Sequence, residues 1–309
     1  MRGIFVRCIF CKKSSSSSKS VEHIIPESLG NKRHVLPKGI VCDGCNNYFS
    51  RKVEKQFLDL PAVRQLRFQQ DIESKRGNIP SISGLIAPDI PALLTKYPKY
   101  DFTSVQVSEP DLARILQAKE GTMLFPLAGD LPNTPVVSRF LAKIALEAMA
   151  LRLAEFPEGI AYICDEAQFD VLRDHARKGY VSPWPVHIRT IYHQNGKTFG
   201  PKGNAEQIVH EFDFLVTDQS EWFFSWRFSG WSLRSTWEGP KFPAVGVGSS
   251  KLAALAHYTP TGMAALLRCP NSNVTSVDGP NYRSRNIAIS GCLFKGTTNR
   301  GTLRASAAR

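Results

Sequence analysis

Two cysteine pairs, Cys8-x-x-Cys11 and Cys42-x-x-Cys45, stand near the start of the chain. Each pair can set two thiolates along one edge of a metal tetrahedron, and two such edges complete a four-sulfur zinc site. A zinc ion closed off by four sulfurs has no open position, so its role is structural. The other reading is four reduced thiols in a small core. Between the pairs lies the stretch SVEHIIPESLGN, residues 20–31, which places a carboxylate and an imidazole side by side at Glu22 and His23. Asn46 follows the second pair directly, so a metal at the cysteines would hold it in place.

These groups need elements to position them. The β-branched residues of EHIIP read as a strand, on which neighbouring side chains face opposite ways. A bent hairpin can still bring both to one cleft. Asp43 is a candidate cap for a helix that starts inside the second pair. Phe49, Val53 and Phe57 recur on one face of that helix. Sixty residues this rich in polar groups bury little apolar area, and a metal supplies the missing stability.

The order Cys-x-x-Cys, Glu-His-Ile-Ile-Pro, Leu-Gly-Asn, Cys-x-x-Cys-Asn resembles the HNH endonuclease family, in its branch with an interleaved four-cysteine zinc site. The resemblance covers roughly residues 5–60. It implies a ββα-metal fold in which a hairpin and a helix clasp one divalent ion. It further implies His23 as the general base that activates water, with Glu22 and Asn46 as ligands of a catalytic Mg²⁺ or Mn²⁺. The family's middle residue mainly orients the loop. His34 and Asn31 are both candidates for it, and neither fits the usual spacing; His34 is carried among the catalytic candidates. The residue types suit phosphodiester hydrolysis. A neutral imidazole takes a proton near pH 7. One carboxylate and one amide oxygen suit a hard cation that keeps its waters.

The net charge is +12, which favours a polyanionic partner. Both ends are basic. Residues 1–60 hold eleven Lys/Arg against five Asp/Glu, and no acid follows Asp278. Lys32, Arg33, Lys38, Arg51 and Lys52 are placed to meet DNA phosphates without reading sequence. The implied activity is endonuclease cleavage of double-stranded DNA, nicking one strand per site. Two chains or two events would then be needed for a double-strand break. Phage defence or a mobile element is the setting the resemblance suggests. The contrasting reading is an inactive four-Cys zinc module that binds nucleic acid or a partner protein.

No apolar run reaches bilayer length and the N-terminus is too polar for a signal peptide, so the expectation is a cytoplasmic protein with no membrane partner. The expected fold class is α+β, divided into a zinc-stapled module (1–70), a linker or crossing segment (71–100) and a larger α+β domain (101–309). The last would serve regulation, targeting or oligomerisation, including a homodimer or a regulatory partner. Four prolines punctuate 71–100, at 80, 88, 91 and 98. SSSSSKS, residues 14–20, reads as a flexible polar loop. Residues 136–156 and 165–179 read as helices, the second with Asp165 as a candidate cap. WPVHIRTIYH, QIVHEFDFLVT and SEWFFSWRFSG read as three antiparallel strands, and RNIAISGCLF as a fourth. The aromatics of EWFFSWRFSGW fit a sheet core better than base stacking. His175, His187, His193, His210 and His257 read as structural or surface residues, and Cys164, Cys269 and Cys292 as free thiols.

Overall fold

The computed structural model describes residues 7–100, 102–118, 120–126, 129–156, 158–179, 184–191, 198–199, 205–206, 210–216, 222–236, 285–289, 292–296 and 302–306. Cys269, His193 and His257 lie outside them. The fold is α+β, with the four-cysteine cluster in the N-terminal region and a helical pair and antiparallel sheet beyond it.

The expected hairpin is short. His23 pairs antiparallel with Val35, Ile24 N–H donates to His34 O at 3.1 Å, and Leu36 N–H donates to Glu22 O at 2.9 Å. The turn between the two arms needs Gly30, whose φ of 86° suits a residue without a Cβ. A helical rod comes next. It comprises α1 (Asp43–Phe49), a widened π-type turn (Ser50–Glu54) and α2 (Lys55–Leu58). Phe49, Val53 and Phe57 line its buried face as the spacing requires. Then comes α3 (Pro61–Gln69), with proline at its first position, where no N–H is missed.

Residues 71–100, expected as a linker or crossing segment, hold two regular strands. These are β1 (Ile82–Ile86) and β2 (Ile90–Tyr97). Pro80 and Pro88 flank β1, where a ladder loses nothing by them. After β3 (Phe102–Gln106), α4 (Glu109–Gln117) and β4 (Glu120–Leu124) comes the long helix α5 (Pro135–Leu153), then α6 (Gly159–Asp165) and α7 (Gln168–Lys178). Asp165 ends α6 and pairs with Arg7 at 2.7 Å; it does not cap α7. The remaining strands are β5 (Val186–Thr190), β6 (Thr198–Phe199), β7 (Ala205–Glu206), β8 (His210–Val216), β9 (Trp222–Phe228), β10 (Trp231–Thr236), β11 (Arg285–Ile289), β12 (Cys292–Gly296) and β13 (Thr302–Ser306). One sheet runs β5-β10-β9-β8 and is antiparallel throughout. The other runs β12-β11-β3-β2-β1-β4-β13, with only β11 and β3 parallel.

One apolar core runs from Cys8 to Leu233 without a break at residue 70. Phe57 stacks on Phe140 of α5 at 4.1 Å, and Trp226 of β9 tilts against Phe140 at 5.7 Å. Trp222, Phe224, Trp226, Phe228 and Trp231 are buried in this core, so they stack no base. A second, smaller core lies among β1–β4, Phe68 and Ile115. The polar run 14–20 is partly tied down, since the buried Ser15 hydroxyl donates to Gly39 O. Among the described residues, no helix is long and apolar enough to cross a membrane.

Candidate active site

The four cysteine sulfurs lie within 4.8 Å of one another. Cys11 and Cys42 Sγ are 3.7 Å apart. A tetrahedron with Zn–S bonds of about 2.3 Å has edges near ~3.8 Å, so the spacing fits zinc. Cys42 is the N-cap of α1, and its sulfur accepts from Cys45 N–H at 3.4 Å. The Cys45 thiol donates to Cys8. Against the opposing effect of burial, and with backbone N–H groups of Cys11, Cys42 and Phe10, it brings Cys8 down to about 5. The donor set fits zinc, and the four cysteines would hold it as a staple across the hairpin.

Around this staple the local chain is tied by short polar contacts. Asp43, expected as the helix cap, accepts from Ser20 N–H at 2.9 Å and Lys19 N–H at 3.1 Å, so it ties the approach to the hairpin onto α1. Asn46 is half-buried, and its Nδ2 donates to Val21 O at 3.3 Å. Asn31 is almost fully buried. Its Nδ2 donates to Ile25 O at 2.6 Å and His34 O at 3.1 Å, and its Oδ1 accepts from Arg33 and His34 N–H at 3.0 Å each. Asn31 therefore ties together the loop between the two arms of the hairpin. The His34 side chain does not join His23; its ring packs edge-on against Phe212 of β8 at 4.8 Å, and burial lowers its pKa.

Alternation along the first strand separates Glu22 from His23. His23 keeps a quarter of its side chain exposed, with Nε2 3.4 Å from Glu27 Oε1. Its Nδ1 is buried and has no hydrogen-bond partner among the described residues. Nε2 is therefore the nitrogen able to meet a substrate or water. Glu27 was not singled out by sequence, although its place four residues on, across a turn, is a signal that could have found it.

Glu22 faces inward and is 5 % exposed. Its Oε1 lies 2.6 Å from Lys143 Nζ of α5. The same ammonium is 2.7 Å from Glu54 and 2.8 Å from Glu147, and donates to the carbonyls of His23 and Ile24 at 3.2 and 3.3 Å. The Glu147 contact is a close, fully buried ion pair. Burial alone would lower the Lys143 pKa, but the three carboxylates overcome this and hold it well above its ordinary value. Three carboxylates against one ammonium leave excess negative charge. Burial accordingly raises both Glu22 and Glu147, Glu147 the more strongly. Glu22, expected with Asn46 to hold Mg²⁺ or Mn²⁺, does not fit that task as arranged. Its carboxylate is sealed under an ammonium, whereas Asn46 engages Val21 O through Nδ2 and keeps its Oδ1 as a potential ligand atom.

Lys32, Arg33, Lys38, Arg51 and Lys52 are all exposed. The first cysteine pair and the hairpin are gripped from outside as well. Arg173 of α7 donates to Ile9 O at 2.6 Å. His210 of β8 meets Leu29 O at 2.8 Å. Burial pushes the His210 pKa down to about 4, against the effect of the Leu29 carbonyl.

Residues 8–60 match the model of the HNH endonuclease family. Neither the curated proteins nor the solved structures hold a match to this chain. The matched segment spans the whole four-cysteine cluster and the hairpin it encloses.

Proposed function

We propose that the chain is an endonuclease that hydrolyses DNA phosphodiester bonds, with His23 Nε2 as the general base. The observation that carries this reading is the setting of His23. It lies on the hairpin inside an HNH-family segment, with one ring nitrogen buried and the other exposed beside Glu27. A neutral imidazole there can take a proton from water attacking phosphorus. Glu27 Oε1 lies 3.4 Å from the nitrogen that would receive that proton. Lys32, Arg33, Lys38, Arg51 and Lys52 would meet backbone phosphates and so position the duplex without selecting a sequence. One base gives one cleavage, so a single chain would nick one strand. A pair of chains would be needed for a double-strand break. A Mg²⁺ or Mn²⁺ ion would supply charge relief on the phosphate, but Glu22 is not free to hold it, and the proton transfer to His23 does not depend on it.

The test is cleavage of supercoiled plasmid by the purified chain in Mg²⁺, Mn²⁺ or EDTA, beside His23→Ala. The expected result is open circles from the parent and a loss of at least ~100-fold in the variant, the usual contribution of a general base. Equal cleavage by both proteins sinks the assignment. Retained DNA binding without cleavage under any metal favours the second reading, an inactive zinc module. The sealing of Glu22 under Lys143 is the observation on that side.

A further inference from the structure

Lys143 lies far outside the HNH segment, on a helix whose other buried residues include Phe140, Leu141, Ile144 and Leu146. An ammonium in such a place costs several kcal/mol unless it is paired. An apolar side chain would pack there without that cost. The lysine is fully buried, and its Nζ gathers oxygens from three separate elements. Glu22 and the carbonyls of His23 and Ile24 come from the first strand of the hairpin, Glu54 from the widened turn before α2, and Glu147 from α5 itself. The widened turn admits an extra residue to the helix and rotates the residues beyond it about the axis; Glu54 is the last residue of that turn.

We infer that Lys143 is a positioning residue for the nuclease centre: its ammonium is the cation that Glu22 serves, in place of a divalent metal, and it fixes the backbone from which His23 projects. An HNH segment is then incomplete without α5. The grip on the His23 carbonyl sets the direction of the ring carried on that Cα. The positioning half of this inference rests on His23 acting as the base; the pairing half does not.

Three measurements on the full chain separate these halves. The first is a melting cycle of Glu22→Gln, Lys143→Met and the double variant. The expected loss in the double is clearly smaller than the sum of the singles, and additive losses overturn the pairing. The second is Mn²⁺ binding followed by electron paramagnetic resonance. Glu22→Gln should bind within about twofold of the parent, whereas a loss of about tenfold or more marks Glu22 as a metal ligand and overturns the inference. This arm also decides the matter if Lys143→Met does not fold. A parent that binds no Mn²⁺ takes the metal out of the reaction and agrees with Glu22 serving Lys143. The third uses Lys143→Met/Glu147→Gln, which deletes the cation together with one of its carboxylates, with bound zinc reporting an intact cysteine cluster. The expected result is kcat lower by about tenfold or more with KM for DNA little changed. Parent-like kcat in that folded variant overturns the positioning role. A parent inert towards DNA overturns the nuclease reading and the positioning with it, while the melting cycle still decides the pairing.

Discussion

The hairpin that carries His23 is held at two places of opposite character. On one side four sulfurs, drawn from residues 8–45, converge on a point suited to zinc. On the other, oxygens from three elements converge on one ammonium at residue 143. The first staple is local, soft and supplied by a motif. The second is remote, hard and supplied by a single lysine in an apolar helix. A metal-stapled module can therefore share its core with the rest of the chain.

Breaking the sulfur side should have the largest effect. Cys45→Ser removes one of four ligands, and structural zinc sites contribute apparent binding energies on the order of 10 kcal/mol or more. The expected outcome is loss of stoichiometric zinc and of a cooperative melt, read by metal analysis and circular dichroism. A variant that melts like its parent would show the remote contacts to be sufficient alone.

Asn31→Ala weakens the local side more gently. It leaves the Ile25 carbonyl and the Arg33 and His34 N–H groups without their partner. A loss of about 1–3 kcal/mol in denaturant unfolding is expected from unsatisfied buried groups. No measurable loss would mean that water takes over those groups and that the loop is held by the remote contacts.

The remote side has its own pH signature through His210. Its folded pKa of about 4 lies below the ordinary histidine value near ~6.5, so the unfolded chain binds the proton more readily. Stability from this group is present above pH ~6.5 and is lost as pH falls towards about 4, by at most roughly 3 kcal/mol. His210→Gln should flatten that part of the stability–pH curve relative to the parent. Parallel curves would place the β8 contact outside the fold's energetics. Zinc release at acid pH affects both proteins alike, so the difference between them isolates His210.

The two staples also differ in how far the amino-acid sequence reveals them. The cysteine pairs, His23 between them and the buried face of the following helix are short-range patterns, and they stand where their spacing places them. α5 and three strands of the β5-β10-β9-β8 sheet are equally legible, because long periodic or aromatic runs fix their elements. Lys143 and Glu147 were invisible for a physical reason. A Lys-x-x-x-Glu pair is the common mark of a solvated helix face, yet α5 is buried on nearly every side and both residues have no exposure. Glu22 was misplaced for a related reason: a bend was expected to bring it to the cleft of His23, but the strand keeps the two neighbours on opposite faces. The prolines of 71–100 suggested a linker because they also punctuate the ends of short strands.

The Lys143 contact with the His23 carbonyl spans 120 residues. During synthesis the cysteine knuckles emerge early and can take up zinc long before α5 leaves the ribosome. Contacts this distant in sequence form late and slowly. A growing chain would thus carry a zinc-stapled hairpin whose histidine is not yet set, and hydrolytic competence would arrive only with the long helix. Pulse-labelled hydrogen exchange during refolding checks this order: the Ile24 amide, bonded within the hairpin to His34 O, should gain protection before the amides of α5, and simultaneous protection would contradict it.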